Sequence, residues 1–280
     1  MTDIRILKTR NGVFRIALDG IADAPVLVLS NSLGTTLELW DRQAQTLSRT
    51  YRVLRYDTRG HGQSVVTPGP YSFSQLGGDV LAILDALRIE RARFCGLSMG
   101  GHIGLWLAIH AAARFVGIAV CNSAAKIGTE QGWQERAGLI QKGGVAAMRK
   151  LADSAPDRWF TPAFINAEPQ VVHIAQQWLA HIDPEGYAAN CEALGASDLR
   201  PKLGQIRVPL LLLAGEFDPV TTVDDAKAMQ HAIVGAKLAT VAASHLSNLE
   251  APQAFEAALT CFLDGLPAEA LRTAHSDFQH

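Results

Sequence analysis

The run Phe94-Cys95-Gly96-Leu97-Ser98-Met99-Gly100-Gly101 constrains this chain more than any other stretch. It is a Gly-x-Ser-x-Gly pattern set between a short apolar run, Ala92 to Leu97, and a helix-like stretch, Gly100 to Ala112. A serine on so tight a strand-to-helix reversal takes a strained backbone conformation and has its hydroxyl pushed out of the fold. Side chains two residues before and two after it would collide, so both places call for glycine, and Gly96 and Gly100 fill them. The helix that follows aims free N–H groups back at the serine, which suits a reaction that builds negative charge on an oxygen.

The pattern around this turn alternates. Ile4 to Lys8 and Val13 to Leu18 read as a hairpin around Asn11-Gly12, and Val26 to Leu29, Tyr51 to Tyr56, Ala92 to Leu97 and Val116 to Cys121 read as strands. Leu37 to Leu47 and Phe73 to Leu87 read as helices between them. Strands alternating with helices predict an α/β fold with a mostly parallel sheet covered by helices on both faces. From about Thr129 to Leu194 the periodicity is helical, and Pro156, Pro162, Pro169 and Pro184 divide it into short helices. Trp133, Trp159 and Trp178 fall here; they serve either the interior of this insert or a pocket wall. The strand–helix rhythm resumes with Leu210 to Leu213, Val223 to Ala232, Leu238 to Val241 and Pro252 to Leu263. The expected organisation is a core of residues 1–123 and 196–266, a helical cap of 124–195 over the sheet's active edge, and a polar tail of 267–280.

A serine hydroxyl is a poor nucleophile at neutral pH. It needs a base within hydrogen-bond reach, and the base needs an acid to orient it. Leu213-Ala214-Gly215-Glu216-Phe217-Asp218-Pro219 puts acids in the loop after one late strand, and Ala242-Ala243-Ser244-His245 puts a histidine after the next. Ser98, Asp218 and His245 are therefore the candidate triad, in the chain order that goes with a serine on this type of turn. Glu216 competes with Asp218; the shorter side chain and the following Pro219 favour Asp218. The candidate oxyanion hole takes one N–H from Met99 and one from Leu33, in the loop Ser30 to Thr36, where Gly34 permits close approach and Asn31 or Ser32 helps fix the loop. The stretch Tyr56 to Ser64 reads as architectural, with Asp57 and Arg59 able to pair within the turn and its glycines allowing a sharp reversal. His102 and His110, on the helix after Ser98, read as packing or surface residues.

Several function classes are disfavoured. A net charge of −2 gives no reason to expect nucleic acid or an anionic membrane surface as a partner. His173 and His181 have no acid or cysteine at ligand spacing, so no metal is expected. No dinucleotide or Walker pattern is present, so no cofactor is expected. Cys95, Cys121, Cys191 and Cys261 form no C-x-x-C pair and read as small buried hydrophobes in a reducing compartment. The N-terminus has no apolar signal region and no apolar stretch is long and unbroken enough to span a bilayer, so the expected location is cytoplasmic.

At these residues the chain resembles the α/β-hydrolases, and within them the 3-oxoadipate enol-lactonases of bacterial aromatic degradation. Ser30 to Trp40 (SNSLGTTLELW), Leu54 to Ser64 (LRYDTRGHGQS), Phe94 to Gly101 (FCGLSMGG) and Ala243 to Glu250 (ASHLSNLE) carry the likeness broadly. Asn122 to Gly128 with Trp133 and Arg136 carries it most specifically, and the whole spans about residues 10 to 265. Relatives also place the acid after the strand ending at Cys121; here that position is Asn122, which is uncharged and strengthens Asp218. The resemblance implies an α/β-hydrolase fold and a small-molecule substrate, a five-membered enol-lactone with an acetate arm, opened by water to 3-oxoadipate. The substrate carboxylate needs a cationic partner in a mostly apolar pocket. Arg136, one helical turn from Trp133, is the candidate for that contact, Trp133 the candidate wall, and Lys126 stands nearby. Arg136 as a solvent-facing helix residue stays open, as do another ester or C–C bond hydrolase on this fold and a non-enzymatic ligand receptor.

Overall fold

The computed structural model of the protein describes residues 2–267. Eight strands form one sheet: β1 (Asp3–Thr9), β2 (Gly12–Asp19), β3 (Val26–Ser30), β4 (Arg52–Tyr56), β5 (Ala92–Leu97), β6 (Phe115–Cys121), β7 (Leu210–Gly215) and β8 (Lys237–Val241). Their spatial order is β1-β2-β4-β3-β5-β6-β7-β8. The β1–β2 hairpin and the β2–β4 pair are antiparallel; every other pair is parallel. The apolar runs explain which strands lie inside. β3, β5, β6 and β7 are buried at every residue, as strands covered on both faces must be, whereas β1 is an exposed edge.

Helices α1 (Asp41–Leu47), α2 (Phe73–Ala86) and α3 (Met99–His110) connect the first strands, and α4 (Glu130–Asp153), α5 (Pro156–Trp159), α6 (Pro162–Ala167), α7 (Pro169–Ala180) and α8 (Pro184–Ala196) follow β6. Four of these five begin or nearly begin with a proline, which costs nothing where the first turn has no N–H acceptor to lose. The helix α4 is broken at Gly144, whose φ of 53° and ψ of −138° lie outside helical values. It packs along α7 and α8. Helices α9 (Val223–Ala232), α10 (Ser247–Glu250) and α11 (Pro252–Asp264) complete the chain as described.

Strand order reverses at β3, with β4 on one side and β5 on the other. The loops leaving β3 and β5 therefore diverge, and the crevice between them is where open α/β sheets bind ligands. Ser98 and the Ser30–Thr36 loop sit at that reversal.

Three expectations are corrected. Leu37 to Leu47 is not one helix: a 3-10 turn over Leu37–Trp40 precedes α1, and the free N–H of Leu37 at its start donates to Asp57 Oδ1 at 2.8 Å. Asp57 and Arg59 do not pair. Arg59 forms a buried ion pair with Asp79 at 2.7 Å, and Asp57 accepts instead from Leu37, Gln63 and Arg15. Cys261 is exposed on α11, while the other three cysteines are buried. Beyond Pro267, the expected polar tail lies outside the described residues. Among the described residues no helix is long and apolar enough to cross a membrane.

Candidate active site

Ser98 sits between β5 and α3 with φ 57° and ψ −115°, a conformation that L-residues rarely adopt. The flanking glycines are required: a Cβ on Gly96 would strike the Gly100 carbonyl, and one on Gly100 would strike the backbone of Ser30. The strained residue is pinned from both ends. Its N–H donates to the Cys121 carbonyl at 2.8 Å, and its own carbonyl accepts from the Ser123 hydroxyl at 2.7 Å.

His245 Nε2 lies 2.9 Å from Ser98 Oγ, and its Nδ1 lies 2.8 Å from Asp218 Oδ2. All three residues are nearly closed to solvent, at 6%, 3% and 5% exposure for Ser98, His245 and Asp218. That closure matters because it strengthens each charge-assisted contact. Asp218 also accepts from Asn122 Nδ2 at 3.0 Å, the Thr221 hydroxyl at 2.8 Å, and the N–H groups of Val220 and Thr221. Burial alone would raise its carboxyl, but the facing His245 and these donors hold it down at about 2. Glu216 is exposed and accepts from the Thr240 hydroxyl at 3.1 Å; it does not meet His245. Asn122 therefore does more than leave an acid site vacant, because it hydrogen-bonds the acid that is present. The loop carrying His245 is tied in turn by the Ser244 N–H, which donates to Glu250 at 2.8 Å.

In the loop after β3, Asn31 Nδ2 donates to the Tyr56 carbonyl at 2.8 Å and Thr35 donates twice to the Ser32 carbonyl. Gly34 takes φ 82°, and a Cβ there would run into Leu179 of α7. Leu33 and Ser32 line the pocket in front of Ser98, and Met99 opens α3 behind it. Among the described residues the Leu33 N–H has no acceptor.

The cavity encloses about 370 Å³ and is lined by Ser98, His245 and residues of α4, α5, α7 and α8. Trp133 and Arg136 both face it, with the Arg136 guanidinium 4.9 Å from the Trp133 ring centre. Trp159 also lines it, whereas Trp178 packs half-buried against the interior and Lys126 lies at a different surface cleft. Two residues here carried no sequence signal. Arg158 on α5 presents a second guanidinium, which donates to the carbonyl and hydroxyl of Ser154, and Tyr187 on α8 stands beside Arg136. Burial and the neighbouring Arg136 lower the Arg158 guanidinium below its usual range. Among the described residues neither arginine forms an ion pair with a carboxylate. His102 is buried between the Ala124 carbonyl and the Ser197 hydroxyl, and His110 is exposed. No cluster that could hold a metal occurs among the described residues.

The alpha/beta hydrolase family model matches residues 17–258. A curated 3-oxoadipate enol-lactonase of Acinetobacter baylyi is 47% identical over 90% of this chain and 94% of its own, and a second from the same organism is 45% identical over 90% and 93%. The crystal structure of the enol-lactonase from Burkholderia xenovorans superposes with a TM-score of 0.90 at 44% identity, covering 93% of this chain and all of that one. With the strained serine, the reversal of strand order and the helices inserted after β6, these likenesses show that the chain belongs to the alpha/beta hydrolase family, among the 3-oxoadipate enol-lactonases.

Proposed function

We propose that the protein hydrolyses 3-oxoadipate enol-lactone to 3-oxoadipate through an acyl-enzyme on Ser98, as a carboxylic ester hydrolase of aromatic compound degradation. The observation that carries this reading is the hydrogen-bond chain Ser98–His245–Asp218 opening into a cavity with two guanidiniums and no carboxylate to balance them. Its relatives named as enol-lactonases supply the substrate.

The chemistry follows from the atoms. Ser98 Oγ attacks the lactone carbonyl while His245 Nε2 takes its proton, and Asp218 stabilises the imidazolium that results. Negative charge on the carbonyl oxygen is met by the N–H groups of Leu33 and Met99 at the start of α3. Collapse of the tetrahedral adduct breaks the ring C–O bond. The departing oxygen is an enolate, a better leaving group than an alkoxide, and the proton that His245 took from Ser98 passes to it, at carbon giving the ketone of the product and leaving His245 neutral. His245 then draws a proton from water as the water oxygen attacks the acyl group, and returns that proton to Ser98 Oγ when the second tetrahedral adduct collapses to the free acid. Arg136 holds the carboxylate of the acetate arm, Arg158 adds a second positive charge beside it, and Trp133 walls the ring.

In this reading residues 1–123 and 196–266 are the catalytic core and 124–195 the cap that shapes the substrate end. The setting is the cytoplasm, a reducing compartment where Cys95 and Cys121, 3.7 Å apart at Sγ, stay thiols.

The test is turnover of freshly prepared enol-lactone. The expected result is saturable opening to 3-oxoadipate that falls roughly 10⁵- to 10⁶-fold in Ser98→Ala. A protein that splits simple esters through Ser98 but leaves the enol-lactone untouched would be a different ester hydrolase. One that neither turns over nor reacts at Ser98 with a fluorophosphonate would be a receptor.

A further inference from the structure

His61 lies in the Tyr56–Ser64 stretch that sequence reading assigns to architecture. Its imidazole is 1% exposed and sits against the loop after β3. Nε2 is 2.9 Å from the Gly34 nitrogen, and Nδ1 is 3.3 Å from the Arg59 carbonyl. The Gly34 N–H can only donate, so Nε2 carries no proton and accepts. The ring's one proton is then on Nδ1, where it donates to Arg59. Burial keeps the imidazole neutral, with its pKa brought down to about 4, so this tautomer persists at neutral pH.

The accepting atom is placed one peptide away from Leu33. Without it the Gly34 N–H would be left unpaired in the interior, and the Leu33–Gly34 backbone would be free to turn toward another acceptor. The far side of the ring is supported too. The Arg59 carbonyl also accepts from Asn190 Nδ2 on α8 at 2.9 Å, and the same amide donates to Gly186 at 2.8 Å. Gly60 and Gly186 meet backbone to backbone, so that a Cβ on either would strike the other. A continuous line of contacts thus runs from α8 through Asn190, the Arg59 carbonyl and His61 to Gly34.

We propose that His61 is a positioning residue for hydrolysis: it holds the Leu33–Gly34 backbone so that the Leu33 N–H faces the developing oxyanion, and Asn190 makes α8 part of that support. This rests on the assignment of the oxyanion hole to Leu33 and Met99, and not on which ester is the natural substrate. A donor aimed at the transition-state oxygen acts mainly on the chemical step, so a loosened loop appears in kcat rather than in KM. A residue that merely packs would show its loss in stability alone.

The experiment uses p-nitrophenyl acetate and the full chain. His61→Leu fills the site without an acceptor, and His61→Gln places an amide oxygen near the position of Nε2. In His61→Leu, kcat is expected to fall roughly tenfold to hundredfold with KM within about twofold of wild type. Affinity for propylboronic acid, which forms a tetrahedral adduct on Ser98, should fall by the same factor. His61→Gln should recover most of both losses, and Asn190→Ala should move both in the same direction by less. If His61→Leu does not fold, His61→Gln carries the test: retained kcat, boronate affinity and hydrogen-exchange protection at the Gly34 amide support the proposal, and loss of all three overturns it. Folded His61→Leu with unchanged kcat and boronate affinity also overturns it, as does equal impairment of the two His61 variants. Wild type that cleaves p-nitrophenyl acetate but not the enol-lactone would end the substrate reading and leave the His61 result standing.

Discussion

On the sheet side of the pocket the polar groups are held many times over. Asp218 accepts five hydrogen bonds, His245 is engaged through both ring nitrogens, and Ser98 is fixed at its N–H, its carbonyl and its hydroxyl. On the helical side Arg136 rests on a tryptophan ring and Arg158 on a single serine, and among the described residues no carboxylate answers either. The difference separates two tasks. Proton transfer tolerates errors of only tenths of an ångström, so its groups are over-determined by hydrogen bonds from backbone and side chains alike. Recognition of a charged arm needs long side chains whose natural counter-ion arrives with the ligand, so the helical side is left electrostatically incomplete.

The largest expected effect tests the sheet side. Asp218→Asn keeps the shape of the side chain but cannot stabilise an imidazolium, and it puts amide hydrogens where His245, Asn122 and Thr221 now donate. We expect kcat for both the enol-lactone and p-nitrophenyl acetate to fall roughly 10³- to 10⁴-fold, with little change in KM. Glu216→Gln should be nearly silent, since its carboxylate lies at Thr240. The reverse ranking would mean that the wrong acid has been assigned.

The same contrast decides what could be read from sequence. The turn at Ser98 was legible because a strained φ demands glycine at Gly96 and Gly100 whatever surrounds it. The parallel core was legible because β3, β5, β6 and β7 need unbroken apolar runs. His245 and Asp218 followed from the rule that catalytic loops leave the carboxyl ends of strands, which narrows the choice to a few residues. Arg158 and Tyr187 obey no such rule. A helical arginine carries the same local pattern whether it faces water or a pocket, and only the packing of α5 and α8 against the crevice distinguishes them. The misplaced Asp57–Arg59 pair has a related cause. Both side chains are close in sequence, but each found a better-aligned partner that sequence separation hides: Asp79 for Arg59, and the Leu37 and Gln63 amides for Asp57.

A smaller effect measures how firmly the sheet side is set. The folded Asp218 carboxyl titrates at about 2, below its ordinary 3.8, so the unfolded chain takes up this proton first as pH falls. The stabilisation it contributes is complete above 3.8 and is lost on the way down to about 2. Its size is on the order of 2 kcal/mol. His61 and His102, both lowered by burial to about 4, lose their contribution at higher pH, from 6.5 downward. They are common to wild type and Asp218→Asn, so they cancel in the difference between the two proteins. Denaturant unfolding of both from pH 6 to 2 should show wild type more stable at the upper end and the gap narrowing by about that amount below 3.8. A gap independent of pH would mean that the carboxylate charge is not what the five donors hold.

The smallest effects fall on the helical side, and they differ in kind. The carboxylate that Arg136 and Arg158 would hold is remote from the bond that breaks, so its contacts are equally strong in ground and transition states. Arg136→Ala and Arg158→Ala should each raise KM for the enol-lactone about tenfold, near 1.4 kcal/mol, and leave kcat almost unchanged. Arg136→Lys should recover only part of the loss, because a point charge cannot reproduce two parallel N–H contacts to a carboxylate. For p-nitrophenyl acetate, which carries no negative charge, the same variants should change little. Added salt should weaken binding of the lactone only modestly, because half-buried charges are only partly screened. The substrate-by-variant pattern is what decides the matter. Substitutions on the sheet side should slow charged and neutral esters alike through kcat, and those on the helical side should penalise only the charged one through KM. If Arg136→Ala and Arg158→Ala slowed the neutral ester as much as the lactone, the two walls of the pocket would not divide the work, and the uncompensated guanidiniums would belong to the framework of the fold rather than to the ligand.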